Sequence, residues 1–239
     1  MTTEGSDQGA RKVRLTPGVI RRFGQIALLV ALQAILLFAS AGRLDWFEGW
    51  LYVGLYLFFI ALNAVLILPK GPDLIEERAR MGGFKGWDRP VMALYSVSGL
   101  AMLVVAGLDE RNHWSPVRST GLQVLATILF ALGYGLFCWA MVTNAYFSAA
   151  IRIQGDRGHS VVRGGPYRYV RHPGYLGVII IAVAAPIMLG SWWALVPGCT
   201  LIVSVVARTL LEDRTLQDGL EGYREYAAQV RYRILPGVF

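Results

Sequence analysis

Charge is scarce in this chain. Of 239 residues only 16% are Asp, Glu, Lys or Arg, against about a quarter in an ordinary soluble domain. With 55% apolar residues and a mean hydropathy of +0.46, that shortage excludes a typical soluble globule and points to a membrane. Cysteine is nearly absent too. Cys138 and Cys199 both lie inside apolar runs, which gives no disulfide framework or zinc spacing and reads them as small core residues. Three histidines (His113, His159 and His172) come without a carboxylate cluster, so no metal centre is expected. The chain lacks the internal repeat of inverted-repeat transporters. Gly133-Tyr134-Gly135 lacks a preceding strand and a third glycine, so it reads as a close helix approach and not as a dinucleotide fingerprint.

What is present is a series of apolar runs, at residues 23–41, 50–68, 91–108 and 122–147, then a pair at 174–189 and 192–210 joined by Gly190-Ser191. Runs of this length suit membrane-crossing helices. The expected architecture is an all-α polytopic transmembrane bundle of about six spans, including a C-terminal helical hairpin. The first run ends in Ala39-Ser40-Ala41, the A-x-A form of a signal-peptide cleavage site, but it is longer than a usual signal core and more spans follow. It reads as a first span. Between the second and third runs, residues 73–81 suggest a short surface helix, with Asp73 as N-cap and Glu76 as its capping-box partner. Three parts follow: a tail at 1–22, a four-span bundle at 23–147 and a catalytic region at 148–239 ending in a polar tail, helical up to a stop near Pro236.

The net charge of +7 could suggest nucleic acid, but placement decides otherwise. The N-terminal tail, the 70–90 loop, the 148–173 loop and the chain from Arg208 onward hold five Lys or Arg apiece, twenty of the 23. Only Arg43, Arg111 and Arg118 fall in the opposite connections. The positive-inside rule therefore puts both termini and the 148–173 loop on the cytoplasmic side of a cell membrane. No nucleic-acid partner is expected.

The most informative stretch is residues 159–175, HSVVRGGPYRYVRHPGY, a polar loop running into an apolar helix. Pro173 suits the first turn of that helix, and His172 before it should be extended. The helix start, with Arg168 and Arg171 beside it, could receive a carboxylate or phosphate; equally, the Tyr and Arg residues could be interfacial anchors. Arg208 and Glu212 share a helix face four residues apart near the end of the last apolar run. Asp213 and Arg214 lie on neighbouring faces and read as solvated. Tyr223 and Tyr226, three apart, read as a stripe packing on the bundle.

The same residues resemble a known family. The stretch HSVVRGGPYRYVRHPGYLG, followed by ARTLLEDRTL and EGYREYAAQV, resembles the isoprenylcysteine carboxyl methyltransferases and their phospholipid methyltransferase relatives, over roughly residues 144–236. The resemblance implies S-adenosylmethionine as cofactor, in a cytoplasmic pocket without a Rossmann domain. It implies cofactor contacts from Gln154, His159, Ser160, Val161, Val162, Tyr167, His172, Pro173, Gly174, Tyr175 and Glu212, and an acceptor-side arginine at Arg208. Two departures stand out: Glu212-Asp213 where the family commonly has two glutamates, and an extended Tyr232-Arg233 segment before Pro236.

The expectation is therefore an integral-membrane methyltransferase acting on a lipophilic acceptor from the bilayer, among membrane lipids. Methyl transfer from a sulfonium needs alignment and dryness more than a metal or a covalent nucleophile. Alternatives are a membrane reductase using NADPH, for which Arg163 and Arg168 could meet a 2′-phosphate, and a non-enzymatic transport or assembly protein. The latter would carry ionisable groups near mid-membrane, and here the spans are nearly free of them.

Overall fold

The computed structural model describes residues 17–70, 86–115, 119–148 and 150–238. The described residues are all-helical: α1 (Pro17–Ala41), α2 (Phe47–Ile67), α3 (Asp88–Asn112), α4 (Thr120–Thr143), α5 (Pro173–Met188), α6 (Leu195–Gly219) and α7 (Tyr223–Gln229), with three short 3-10 turns. Five of them (α1, α2, α3, α4 and α6) are long and apolar enough to cross a membrane. Large apolar side chains lie on their outside: Leu28, Ile35, Phe58, Val65, Val97 and Leu132 are all exposed. A soluble bundle would bury these; a lipid-embedded one turns them to hydrocarbon.

The expected hairpin is present, but its arms differ. Helix α5 has 16 residues, about 24 Å of rise against a hydrocarbon core of about 30 Å. Pro186 lies in its last turn, and Gly190 (φ +77°) makes the sharp corner into α6. The polar corner is pinned to the end of α3. Asp109 accepts hydrogen bonds from Ser115 Oγ (2.6 Å) and Ser191 Oγ (2.5 Å).

Small residues bring the helices close. A Cβ on Gly133 of α4 would stand 2.9 Å from the Gly177 carbonyl oxygen of α5, and one on Gly177 would stand 2.6 Å from that of Gly133. A Cβ on Gly135 would meet nothing within 4 Å, so only the first glycine of the pair serves the contact. Gly107 of α3 likewise lies against Leu37 and Ser40 of α1. Around these crossings Leu37, Leu103, Phe130, Ala185 and Met188 form a fully buried core.

Several expectations are corrected. Helix α4 ends at Thr143 rather than reaching residue 147, because Asn144 is extended and its Oδ1 accepts from Tyr146 N–H (2.8 Å). Cys199 is exposed on α6, although Cys138 is buried as expected. The tail is not one helix: α6 breaks at Leu220, and Gly222 (φ +75°) turns the chain into the short α7. The surface helix expected at residues 73–81 lies outside the described residues.

Candidate functional site

One carboxylate organises the polar end of the bundle. Asp213 was expected to be solvated, yet it is 1% exposed. Its Oδ1 accepts from Arg171 Nε (2.9 Å) and Tyr223 OH (2.9 Å), with His172 Nε2 at 3.3 Å. Its Oδ2 accepts from Arg171 Nη2 (3.0 Å), Gln217 Nε2 (2.9 Å) and Arg233 Nε (3.0 Å). Arg171 continues outward, its Nη1 donating to the carbonyls of Val230 (2.8 Å) and Arg231 (2.9 Å) beyond α7. The Tyr232-Arg233 segment is part of this clasp. Its two carbonyls accept from the N–H groups of Arg171 (3.0 Å) and His172 (2.8 Å). The tail thus closes over the 159–175 loop.

This arrangement changes the reading of the α5 start. Pro173 occupies its first turn as expected, with His172 at φ −127° and ψ 61°. The N–H groups of Tyr175 and Leu176 are already taken by the His172 carbonyl. Arg171 is committed to Asp213, and Arg168 is exposed. The helix start therefore has little free donor capacity or positive charge for an anion.

Beside the clasp lies a cavity of about 270 Å³. Its lining includes nine of the eleven residues expected to contact a cofactor: His159, Ser160, Val161, Val162, Tyr167, His172, Gly174, Tyr175 and Glu212. Arg208 also lines it. Pro173 and Gln154 do not. Gln154 is 1% exposed and ties the preceding loop together. Its Nε2 donates to the Tyr146 carbonyl (2.8 Å), its Oε1 accepts from Arg157, and its backbone carbonyl accepts from Arg157 and His159 N–H.

The cavity has two characters. One wall is polar and aromatic, with Tyr146, His159, Tyr167, Tyr175, Glu212 and Tyr223. The other comes from inside the bundle and is largely apolar, with Met92, Phe137, Met141, Val178 and Val205. Tyr175 OH donates to Glu212 Oε2 (2.5 Å), and its ring stacks on His172 at 5.7 Å. The Arg208 guanidinium lies 5.9 Å from the same ring. Tyr175 therefore orients Glu212 while its ring borders the cation. Tyr223 and Tyr226, expected as a packing stripe, do pack edge to face at 5.6 Å. They also line the cavity, and Tyr226 OH bonds the Tyr167 carbonyl at 2.6 Å.

Besides Tyr146, three contributors were not picked out from the sequence pattern. Asp88, assigned to a charged loop, is the first residue of α3 and is fully buried. Its Oδ1 lies 3.1 Å from Arg208 Nε, and its Oδ2 accepts from Arg208 Nη2 (3.3 Å) and Ile151 N–H (3.4 Å). The signal was available: Trp87-Asp88-Arg89-Pro90 before an apolar run has the acid and proline of a helix start. Arg22 of α1 and Tyr95 of α3 reach the lining too, and nothing local in the sequence marks them.

His159 stacks on Tyr146 (4.3 Å between rings), and its Nδ1 accepts from the Gln154 N–H (3.2 Å). Burial pushes its pKa below the ordinary value, and Arg157 and Arg152 push the same way, against a smaller pull from Glu212. A lowered folded-state pKa means that the neutral ring is the form the fold favours. The stabilisation is therefore fully present above the unfolded value of about 6.5 and is lost as pH falls through the folded one. The thermal midpoint should drop on acidification from about pH 7 to about pH 5.5. His159→Asn, which keeps an acceptor near Nδ1 but cannot titrate there, should show a smaller drop. Equal drops would remove His159 as the cause.

No curated protein matches the chain significantly, but a family model does. Residues 125–219 match the isoprenylcysteine carboxyl methyltransferase (ICMT) family. That interval takes in most of α4, the 144–172 loop, α5 and α6, the elements that carry most of the cavity wall. Over this segment, somewhat under half of the chain, the protein is similar to the isoprenylcysteine carboxyl methyltransferase family, and its five long apolar helices are those of an integral-membrane protein.

Proposed function

We propose that the cavity binds S-adenosylmethionine and that the protein transfers its methyl group to a lipophilic acceptor arriving from the bilayer. The observation carrying this reading is the two-sided cavity, polar and aromatic on one wall and bundle-lined and apolar on the other. A charged soluble cofactor and an apolar acceptor need those two surroundings in one place. When bound, the cofactor would supply a methyl group activated by the adjoining sulfonium.

The donor set fits such a group. Glu212 is the acid among the lining residues, half-buried, with Oε2 already held by Tyr175. Its free lone pairs suit a ribose hydroxyl or an amine, and its negative charge suits a cationic ligand. Tyr146, His159 and Tyr167 offer ring faces to an adenine or a sulfonium, an aromatic–cation contact contributing about 0.5–2 kcal/mol. Arg208 faces the acceptor side, where it would orient an anionic group; its basicity rules out a general-base role. The tail clasp over residues 159–175 and the apolar wall exclude water, which lets alignment rather than acid–base chemistry govern the rate. The asymmetry of basic residues supports a cytoplasmic position for the polar wall.

The direct test is calorimetric titration of the detergent-purified protein with S-adenosylmethionine and S-adenosylhomocysteine, with NADPH in parallel. Saturable binding of the adenosyl compounds alone is expected. Glu212→Ala should weaken it by about tenfold or more, a charge-assisted contact being worth about 1.5–3 kcal/mol. Undiminished affinity in that variant would refute the Glu212 contact. NADPH binding alone would replace the methyltransferase reading with a reductase.

A further inference from the structure

The charges around the cavity are nearly all matched in pairs, and the exceptions are informative. Arg152 has Asp156 at 3.0 Å, Arg171 has Asp213 at 2.9 Å, and Arg208 has Asp88 at 3.1 Å. Two lining charges remain outside these pairs. One is Glu212, whose hydrogen bond among the described residues comes from the Tyr175 phenol. The other is Arg22, for which the described residues provide no ion-pair or hydrogen-bond partner.

Arg22 stands on the second turn of α1, at the end of the bundle that carries the polar loop. Its neighbour Arg21 is exposed and fits an anchor at headgroup depth. Arg22 instead is half-buried and turned to the cavity. Tyr95 of α3 and Arg208 of α6 line the same cavity. The two arginines therefore border one cavity. A guanidinium facing the interior of a membrane bundle is costly unless something answers its charge, and such groups mark ligand paths.

We propose that Arg22 is a specificity-determining residue of the acceptor site, and that with Arg208 it receives a negatively charged head on an otherwise apolar acceptor. The inference rests on the methyl-transfer reading given above. Because Asp88 already neutralises Arg208, the positive charge left to attract an acceptor comes from Arg22. Glu212 matches the cationic cofactor, Arg22 matches the anionic acceptor, and the loaded cavity approaches neutrality. The apolar lining of α3 to α6 takes the tail. This gives α1, which lies outside the family-matched segment, a direct part in choosing the substrate.

The full chain in neutral detergent serves for the test, with S-farnesylthiopropionic acid, its uncharged primary amide and inorganic phosphate as probes. The wild type should bind the acid about tenfold or more tighter than the amide, the yield of one charge-assisted contact. Arg22→Gln should bring the two affinities to within about threefold. Arg21→Gln, the same charge change at the exposed neighbour, should leave the ratio as it was, and S-adenosylhomocysteine affinity should be unchanged in both. An acid-to-amide ratio as large in Arg22→Gln as in the wild type overturns the proposal. So does displacement of the acid by equimolar inorganic phosphate, which would make this a site for soluble anions. If Arg22→Gln does not fold, Arg22→Lys carries the test: it should lower the ratio, since an ammonium cannot reproduce the guanidinium fork, and an unchanged ratio overturns the proposal. Failure of the wild type to bind S-adenosylhomocysteine would sink the methyl-transfer reading separately, because the acid-to-amide comparison needs no cofactor.

Discussion

Asp213→Ala should unfold the polar end of this protein. The single carboxylate accepts from two arginines, a tyrosine and a glutamine, and lies within reach of His172. Its main partner, Arg171, has a side chain only 4% exposed. Truncating Asp213 therefore leaves a buried guanidinium without its counter-charge, a loss of about 3–5 kcal/mol. For a chain of this size that is a fall in the thermal midpoint on the order of 10 °C. The consequence reaches the site, because Arg171 also holds the carbonyls beyond α7. With the clasp open, S-adenosylhomocysteine binding should be lost along with stability. Asp213→Asn, which keeps an acceptor and the volume, should lose less of both. A midpoint within about 2 °C of wild type in Asp213→Ala would show that the clasp does not hold the fold.

The contrast between Asp213 and its neighbour Glu212 explains how much of the site was legible. The existence of the spans and the proline start of α5 depend on local composition, and the chain announces them, whereas helix limits such as the end of α4 at Thr143 are set by turns that composition does not mark. So does the 159–175 loop, whose glycines, prolines and tyrosines cannot belong to a plain span. The role of an acid on a helix end depends instead on what comes to cover it. Asp213 is buried because the C-terminal segment folds back from residues 230–233, and Asp88 is buried because α3 packs on α6. Periodicity places Glu212 and Asp213 on adjacent faces but does not say which face the tail will cover. The Tyr232-Arg233 segment looked like a departure from the family pattern. Its carbonyls turn out to hold the loop backbone, a role that side-chain identity cannot reveal.

Arg208→Ala should abolish methyl transfer and also destabilise the fold, and the two losses can be separated. Arg208 and Asp88 are 120 residues apart in sequence, and the carboxylate is completely buried. Removing the arginine leaves that carboxylate uncompensated, at about 3–5 kcal/mol. A dead Arg208→Ala variant alone is therefore ambiguous between lost chemistry and a disturbed bundle. The double variant Asp88→Ala/Arg208→Ala removes both charges. It should recover about 1–3 kcal/mol relative to the sum of the single losses, the coupling expected for charges in contact. On the proposed mechanism turnover should not recover with it, since the cation proposed to orient the acceptor is still gone; a loss on the order of 100-fold or more is expected from misplacement alone. Asp88→Asn supplies the complementary result. Arg208 stays but loses its tether, so the KM for the acceptor should rise while S-adenosylhomocysteine affinity holds. That split marks Asp88 as a positioning residue, whereas a purely structural one would weaken the binding of both acceptor and S-adenosylhomocysteine. Turnover regained in the double variant would mean that Arg208 serves only to neutralise Asp88, and the acceptor's anionic head would then have Arg22 as its one cationic partner.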